Sequence, residues 1–391
     1  MNDTKKFYSD SNLFSKSTLI TAAIGIITSI VAFFVDSTQF YHSYLTAYMF
    51  WLTIVLGGLF FTMLHHISGA VWSTVLRRLS ESIMISIPVM AILFLPVIIG
   101  MHDLYHWTHG DAVAQDELLQ KKEAYLNAVF FTIRAIVYFS IWFFLAWNLY
   151  KTSLKQDTGH DDKYTVKMKK FSAPGIVVFA LSITFAAFDW VMSLDPHWYS
   201  TIFGLYVFAG SFLSFMAFLV IIGLALRKKG LLTDVITVEH YHDIAKFLFG
   251  FTIFWGYMAF SQYFLIWYAN IPEETVWYAH RWEGNWYILT MTLVFGHFLI
   301  PFIVLMLRSV KRNFTTLKIL AYWILLMHFV DLYWLVFPSF SKHGFVFSWI
   351  DLATFLAIGG IFLWYFWYKY FGKAMVTIND PRLKKSMELV N

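Results

Sequence analysis

STIFGLYVFAGSFLSFMAFLVIIGLAL, residues 200–226, runs for 27 residues without an Asp, Glu, Lys or Arg. At a rise of about 1.5 Å per residue it makes a helix of about 40 Å, longer than the roughly 30 Å of bilayer hydrocarbon. Nine further stretches of the same kind lie at residues 17–36, 43–67, 80–101, 124–150, 172–193, 246–271, 284–308, 313–336 and 347–371. The expected fold is therefore an all-α integral membrane protein of about ten transmembrane helices. Composition agrees. Charged residues make up 14% and hydrophobic residues 59% of the 391 positions, where a soluble domain carries about 25% charged residues. Mean hydropathy is +0.61. The 42 Phe, 22 Tyr and 17 Trp suit a lipid-facing surface and two interfacial belts.

Basic residues set the expected orientation. Alternate connections, together with both termini, hold 24 of the 29 Lys and Arg, whereas the other connections hold Lys121, Lys122, Arg281 and Lys342. Arg134 falls inside the fourth stretch. Cytoplasmic loops are enriched in Lys and Arg, so the first set is expected inside the cell with both termini. The polar segment 1–16 has no signal-cleavage pattern, and the first span is expected to be retained as an anchor. The net charge of +5 resides mostly in those loops and points to no nucleic-acid partner.

The chain has no cysteine. It can form no disulfide, no thiolate-ligated iron–sulfur cluster and no Cys-x-x-Cys-His haem attachment. Gly-rich phosphate loops, His-Glu-x-x-His and Gly-x-Ser-x-Gly are also missing. Any electron transfer must use a non-covalent cofactor or belong to a partner.

Ionisable groups within a span cost about 2.5–3.5 kcal/mol at its centre, so each needs a reason. By helical rise, Asp189 lies about 26 Å along the fifth stretch and Asp331 about 27 Å along the ninth. Asp351 is one turn into the tenth, so these acids are expected in the outer third. Arg134 is expected near mid-span, about 15 Å from Ala124. His297 is expected at the middle of the eighth span, with Thr290 two turns earlier on the same face. His328 and Asp331 share a face of the ninth. Two broken polar ladders follow as proton-path candidates: His66 and Glu81 to Arg134 to Asp189, and His297 to His328 to Asp331, with Asp351 near the second.

Plainer roles compete with these. Arg77, Arg78, Glu81, His65 and His66 read first as interfacial or snorkelling groups. Asp189 and Asp351 could cap helix ends, and Arg134 reads as a counter-charge inside a bundle. Pro88, Pro96 and Pro301 each remove a backbone donor and can kink a span. With Gly296, Pro301 could open the eighth helix beside His297. A bis-His haem needs ligands at matched depth on facing helices. His297 and His328 are single and expected offset, while His65 and His66 point to different faces, so no haem is expected. The outer loops His102–His109, Asp195–Ser200 and Trp277–Trp286 combine His, Trp, Tyr and acids. That composition fits both an aromatic belt and a docking face.

The stretch Phe188-Asp-Trp-Val-Met-Ser-Leu-Asp-Pro-His-Trp-Tyr-Ser-Thr-Ile-Phe-Gly204 resembles the marked segment of membrane subunits C and F of bacterial alternative complex III, a quinol:electron-acceptor oxidoreductase. Those subunits belong to the NrfD-like family of polysulfide reductase membrane subunits. The ten-span layout, His65-His-Ile-Ser-Gly-Ala-Val-Trp72 and Arg77-Arg-Leu-Ser-Glu81 are similar too. The modest length and short termini look more like F than C. The resemblance implies two four-helix bundles flanked by the first and tenth spans. It divides the chain into 1–16 (cytoplasmic segment), 17–42 (first helix and outer loop), 43–199 (first bundle), 200–346 (second bundle), 347–371 (tenth helix) and 372–391 (cytoplasmic tail).

It further implies a bacterial inner-membrane location and no cofactor bound by this chain. Menaquinol or ubiquinol, c-type haem and iron–sulfur clusters would belong to partners. Those partners would be membrane lipid, a homologous membrane subunit, an iron–sulfur protein, multihaem c-type cytochromes and a terminal oxidase. The ladders His66, Glu81, Arg134, Asp189, His297, His328 and Asp331 would be proton routes. Two further readings stay open: the chain binds quinol itself, or it is a stand-alone proton-coupled transporter.

Overall fold

The computed structural model describes residues 12–159, 162–341 and 344–390. Most of the polar segment 1–16, and Lys5, Lys6 and Lys342 of the charge count, lie outside those residues. Among the described residues the fold is all-helical, and ten helices are long and apolar enough to cross a membrane. They are α1 (Phe14–Val35), α2 (Ser37–Ser68), α3 (Trp72–Ile99), α4 (Ala128–Thr158), α5 (Lys163–Leu194), α6 (Phe203–Lys228), α7 (Val238–Ala269), α8 (Trp286–Met306), α9 (Phe314–Ser339) and α10 (Trp349–Phe371). Every stretch expected from sequence is a helix, and most run further into the interfaces than apolarity alone suggests.

α2 and α6 are the most buried of the ten and pack against each other at the centre. Their close approach depends on Gly57, where a Cβ would lie 2.5 Å from Phe215 Cβ and 2.7 Å from the Ser211 carbonyl. Ser211 Oγ donates to the Thr53 carbonyl across the same contact at 2.6 Å. α2 also packs on α3, α4 and α5, and α6 on α7 and α9, with α8 closing against α7 and α9. α10 lies against α2 and α3, and α1 lies chiefly against α10. Exposed Ile27, Ile30 and Phe34 on α1, Val177 and Leu181 on α5, and Ile319 and Leu326 on α9 form an apolar outer surface. In water such a surface would aggregate; in lipid it is the favourable one.

α3 and α8 are broken as their prolines suggest. α3 begins as a tight turn at Trp72–Leu76 and continues in short pieces, with Pro88 and Pro96 at the starts of two of them. Tyr48 and Tyr44 hydroxyls donate to the Met90 and Leu93 carbonyls along this stretch, at 2.9 and 2.8 Å. In α8 the helix widens to a π-helical turn over Leu293–Leu299, just before Pro301. The Gly296 carbonyl there accepts from Trp323 Nε1 at 2.7 Å.

The basic connections and the tail lie at one end of the helices, here called the basic face. The connections 100–127, 195–202 and 270–285, with residues 340, 341 and 344–348, form the opposite face. These last loops interlock. Trp198 stacks on Trp277 with centroids 4.2 Å apart, Lys122 Nζ donates to the Pro196 carbonyl at 2.6 Å, and Phe345 N donates to Asn285 at 2.7 Å. His197 bonds Asp116 at 2.6 Å. That bond, with the Leu119 and Leu118 amides, holds the Asp116 carboxyl below its usual range. Much of the aromatic content of these loops thus goes into loop-to-loop packing.

Contact between α1 and α10 rests on backbone proximity: a Cβ at Gly25 would lie 2.2 Å from Ala357 N. Gly25→Leu is expected to pry α1 from α10 and destabilise the protein by about 1–3 kcal/mol, the usual cost of overpacking. Gly250→Leu in α7, whose added Cβ meets nothing within 4 Å, is expected to be near neutral. Thermal unfolding of both variants in detergent checks this.

Candidate functional site

Most of the intramembrane polar residues singled out by sequence fall in three buried clusters, and these divide the expected ladders.

The first joins Arg134 and Asp189. Arg134 Nε and Nη2 donate to the two oxygens of Asp189 at 2.7 and 3.0 Å, a bidentate pair. Tyr138 adds a hydrogen bond to Asp189 at 2.7 Å. The guanidinium also donates to the Tyr125 carbonyl at 2.8 Å and lies 3.8 Å from that ring's centroid. α4 begins at Ala128 rather than Ala124, so Arg134 lies only about 9 Å from its end, not at mid-span. The counter-charge reading of Arg134 holds. Asp189 is not a helix cap; its oxygens serve Arg134 and Tyr138.

The second cluster is at the basic face. Arg77 and Arg78 pair with Glu81 at 3.0 and 3.1 Å, Arg77 also with Asp380 and Arg78 with Asp157. Ser153 donates to Glu81 at 2.8 Å. Arg382 bonds Asp380 at 2.9 Å and lies 3.1 Å from His65 Nε2, whose Nδ1 is 2.7 Å from Ser73. Arg77, Arg78 and Glu81 are wholly inaccessible, and His65 and His66 nearly so. The snorkelling reading of these five is therefore overturned: the tail supplies Asp380 to Arg77 and Arg382 to His65, and α4 supplies Asp157 to Arg78 and Ser153 to Glu81. Met375, Val376 and Thr377 of the tail are themselves buried, and Ser386 Oγ donates to the Trp72 carbonyl at 3.0 Å. His66 is buried, and neither ring nitrogen has a hydrogen bond among the described residues.

The first ladder is thus divided. Glu81 is tied to Ser153 and Asp189 to Arg134, and those two residues of α4 are separated by about 28 Å of helix. Between them Trp142 Nε1 bonds Ser182 at 2.9 Å.

The third cluster lies in α6–α9. Asp331 accepts from the Tyr206 hydroxyl and, at 3.2 Å, from Trp255 Nε1. His297 stacks on the other part of this group: its ring centroid is 4.0 Å from that of Trp255, at 25°. It stands in the π-helical turn of α8, with both nitrogens unpartnered among the described residues. Trp255 therefore links His297 and Asp331. His328, although three residues from Asp331, turns toward α2 and lies 2.9 Å from Thr53 Oγ1. His297 and His328 are each about 16 Å from the opposite-face end of their helices, so the expected offset in depth is not found. α8 starts at Trp286 and α9 continues to Ser339, which brings the two rings level.

Asp351 belongs to neither ladder. It closes a capping box, accepting from Ser348 N at 2.8 Å and from Ser43 Oγ of α2 at 2.6 Å. Its helix-cap reading is the one the geometry matches. Thr290, placed with His297 by sequence, instead accepts from Trp334 Nε1 at 2.9 Å and donates to the Arg281 carbonyl at 2.8 Å.

Arg281, Asp380 and Arg382 were not singled out by sequence. Arg281 is buried against Trp277, 3.3 Å from its centroid, and donates to the Trp277, Trp334 and Leu335 carbonyls. Burial pushes its guanidinium down to about 9, so it stays charged at neutral pH. Tyr138, Tyr206 and Trp255 were missed because one aromatic among so many carries no signal. No group of three or more His, Asp or Glu is placed to hold a metal ion among the described residues.

Fold and clusters together define a multi-pass, all-α membrane protein with buried, internally paired charges. Searches against models of known protein families and against curated proteins return no match.

Two outcomes are expected. Asp189→Asn strands the Arg134 charge and costs about 3–5 kcal/mol of stability, and Arg134→Met added to it recovers part of that loss. Thermal unfolding of the single and double variants measures both. At the tail, burial alone would raise the Asp380 carboxyl, but Arg382 and Arg77 more than offset it and hold it below its usual value. A lowered carboxyl stabilises fully above its unfolded value, about 3.9, and the gain is lost as pH falls through the folded one. Anisotropy of a C-terminal fluorophore should therefore stay high at neutral pH and drop only below about pH 4.

Proposed function

We propose that this chain is a cofactor-free membrane subunit of a bacterial respiratory quinol-oxidising complex. In this reading it lies in the cytoplasmic membrane with its basic face and both termini inside. Partner subunits carry the iron–sulfur clusters and c-type haems, and a homologous membrane subunit and a terminal oxidase complete the assembly. The resemblance around Asp189 names the family, and one feature of the structure carries the chemistry. That feature is the contrast between the two carboxylates Asp189 and Asp331.

Asp189 is neutralised by Arg134 in a bidentate pair and is a fixed structural charge. Among the described residues Asp331 is held only by neutral donors, Tyr206 and Trp255, with His297 against the same indole. A carboxylate with no cation in contact can change protonation without breaking an ion pair. It is thus the group suited to accepting and passing a proton during quinol oxidation. The basic-face cluster is structural, and no direct hydrogen-bonded chain of protein groups joins it to the opposite face among the described residues.

The break in α8 at mid-span favours a second reading, a stand-alone proton-coupled transporter, since such proteins place broken helices at the midplane.

The test is quinol:acceptor turnover and proton release by membranes carrying Asp331→Asn or His297→Ala. Assembly is expected to be intact, with turnover or proton release reduced at least about tenfold for Asp331→Asn, below the usual range for loss of a positioned acid–base group because a neighbouring water can stand in. Unchanged turnover and proton release in both variants would remove Asp331 from the mechanism. Substrate-driven proton uptake by the isolated chain in liposomes would favour the transporter.

A further inference from the structure

A groove of about 620 Å³ opens toward lipid between α2, α6, α9 and α10. Phe50, Phe218, Leu326, Phe355 and Leu363 line it, and Ser348 and Asp351 close its opposite-face end. From Asp351 to Leu363 it follows α10 for about 18 Å, close to the depth of one leaflet of a roughly 30 Å core. Among the described residues Asp351 is the only charged side chain in its lining. Each Asp351 oxygen takes one hydrogen bond, from Ser43 and from Ser348 N, and a carboxylate oxygen can accept another.

We propose that this groove binds one acyl chain of an aminophospholipid whose ammonium head group is held by Asp351. The length and apolarity of the groove suit the chain, and the position of the carboxylate suits the head group. Asp351 stands two residues into α10, about 3 Å below the helix start, where the head groups of that leaflet lie. Phe347 and Phe355 at the same end present rings that favour a cation. No Lys, Arg or His lines the groove among the described residues, so none of them would hold a phosphate there, and the carboxylate repels an anionic head. The site is separate from the Asp331 cluster and does not depend on the quinol reading.

The test is native mass spectrometry of the intact purified protein, titrated with phosphatidylethanolamine and, separately, phosphatidylglycerol of the same acyl composition. The wild type is expected to retain phosphatidylethanolamine selectively. Asp351→Asn keeps an acceptor oxygen in the capping box, and is expected to weaken that lipid about tenfold, the worth of one charge-assisted hydrogen bond. Phosphatidylglycerol binding should not weaken, because the variant removes the charge that repels it. Leu326→Trp, which fills the groove without touching the carboxylate, is expected to weaken phosphatidylethanolamine as well. Equal affinity for the two lipids in the wild type, or no change in either variant, would overturn the proposal. A neutral quinone co-purifying in the groove and displaced by Leu326→Trp would also overturn it.

Discussion

A charge carried into hydrocarbon finds no water, so its hydrogen bonds must come from the protein. That constraint organises this structure more than any single contact does. Arg134 and Asp189 answer it with a bidentate pair and a tyrosine. Arg77, Arg78 and Glu81 answer it with a network that borrows Asp157 from α4 and Asp380 from the tail. Asp331 answers it with the neutral donors Tyr206 and Trp255. The first two solutions are static. The third has no cation in contact among the described residues, and it occurs beside α8, which departs from α-geometry at mid-span.

The helices were legible because exposing backbone to lipid is costly at every residue, and an unbroken run of about twenty apolar positions is what a span requires. Apolar run length located all ten helices, and the prolines located the breaks in α3 and α8. Partner choice was less legible. Arg134 and Asp189 were expected next to each other in the first ladder and are paired, but Arg134 is nearer its helix end than expected, because α4 begins at Ala128, where Asn127 caps it. His328 shares a face with Asp331 by spacing, but the contact of α9 with α2 turns its ring toward Thr53.

The basic-face cluster shows a second kind of blindness. Arg77, Arg78, Glu81, His65 and His66 sit at the ends of apolar runs, where snorkelling to water is the ordinary expectation. The partners of Arg77 and His65 come from residues about three hundred positions away, and Asp380 and Arg382 lie in a polar tail with no hydropathy signal of its own. Local patterning carries no information about which distant segment will cover an interface.

The quinol-complex reading stands or falls on the company this chain keeps. The most direct measurement is a reduced-minus-oxidised spectrum of the material that co-purifies with the tagged chain from gently solubilised membranes. A c-type haem band with several partner subunits is the expected result, since a chain without cysteine cannot attach that haem itself. A colourless, solitary protein would contradict the quinol-complex reading.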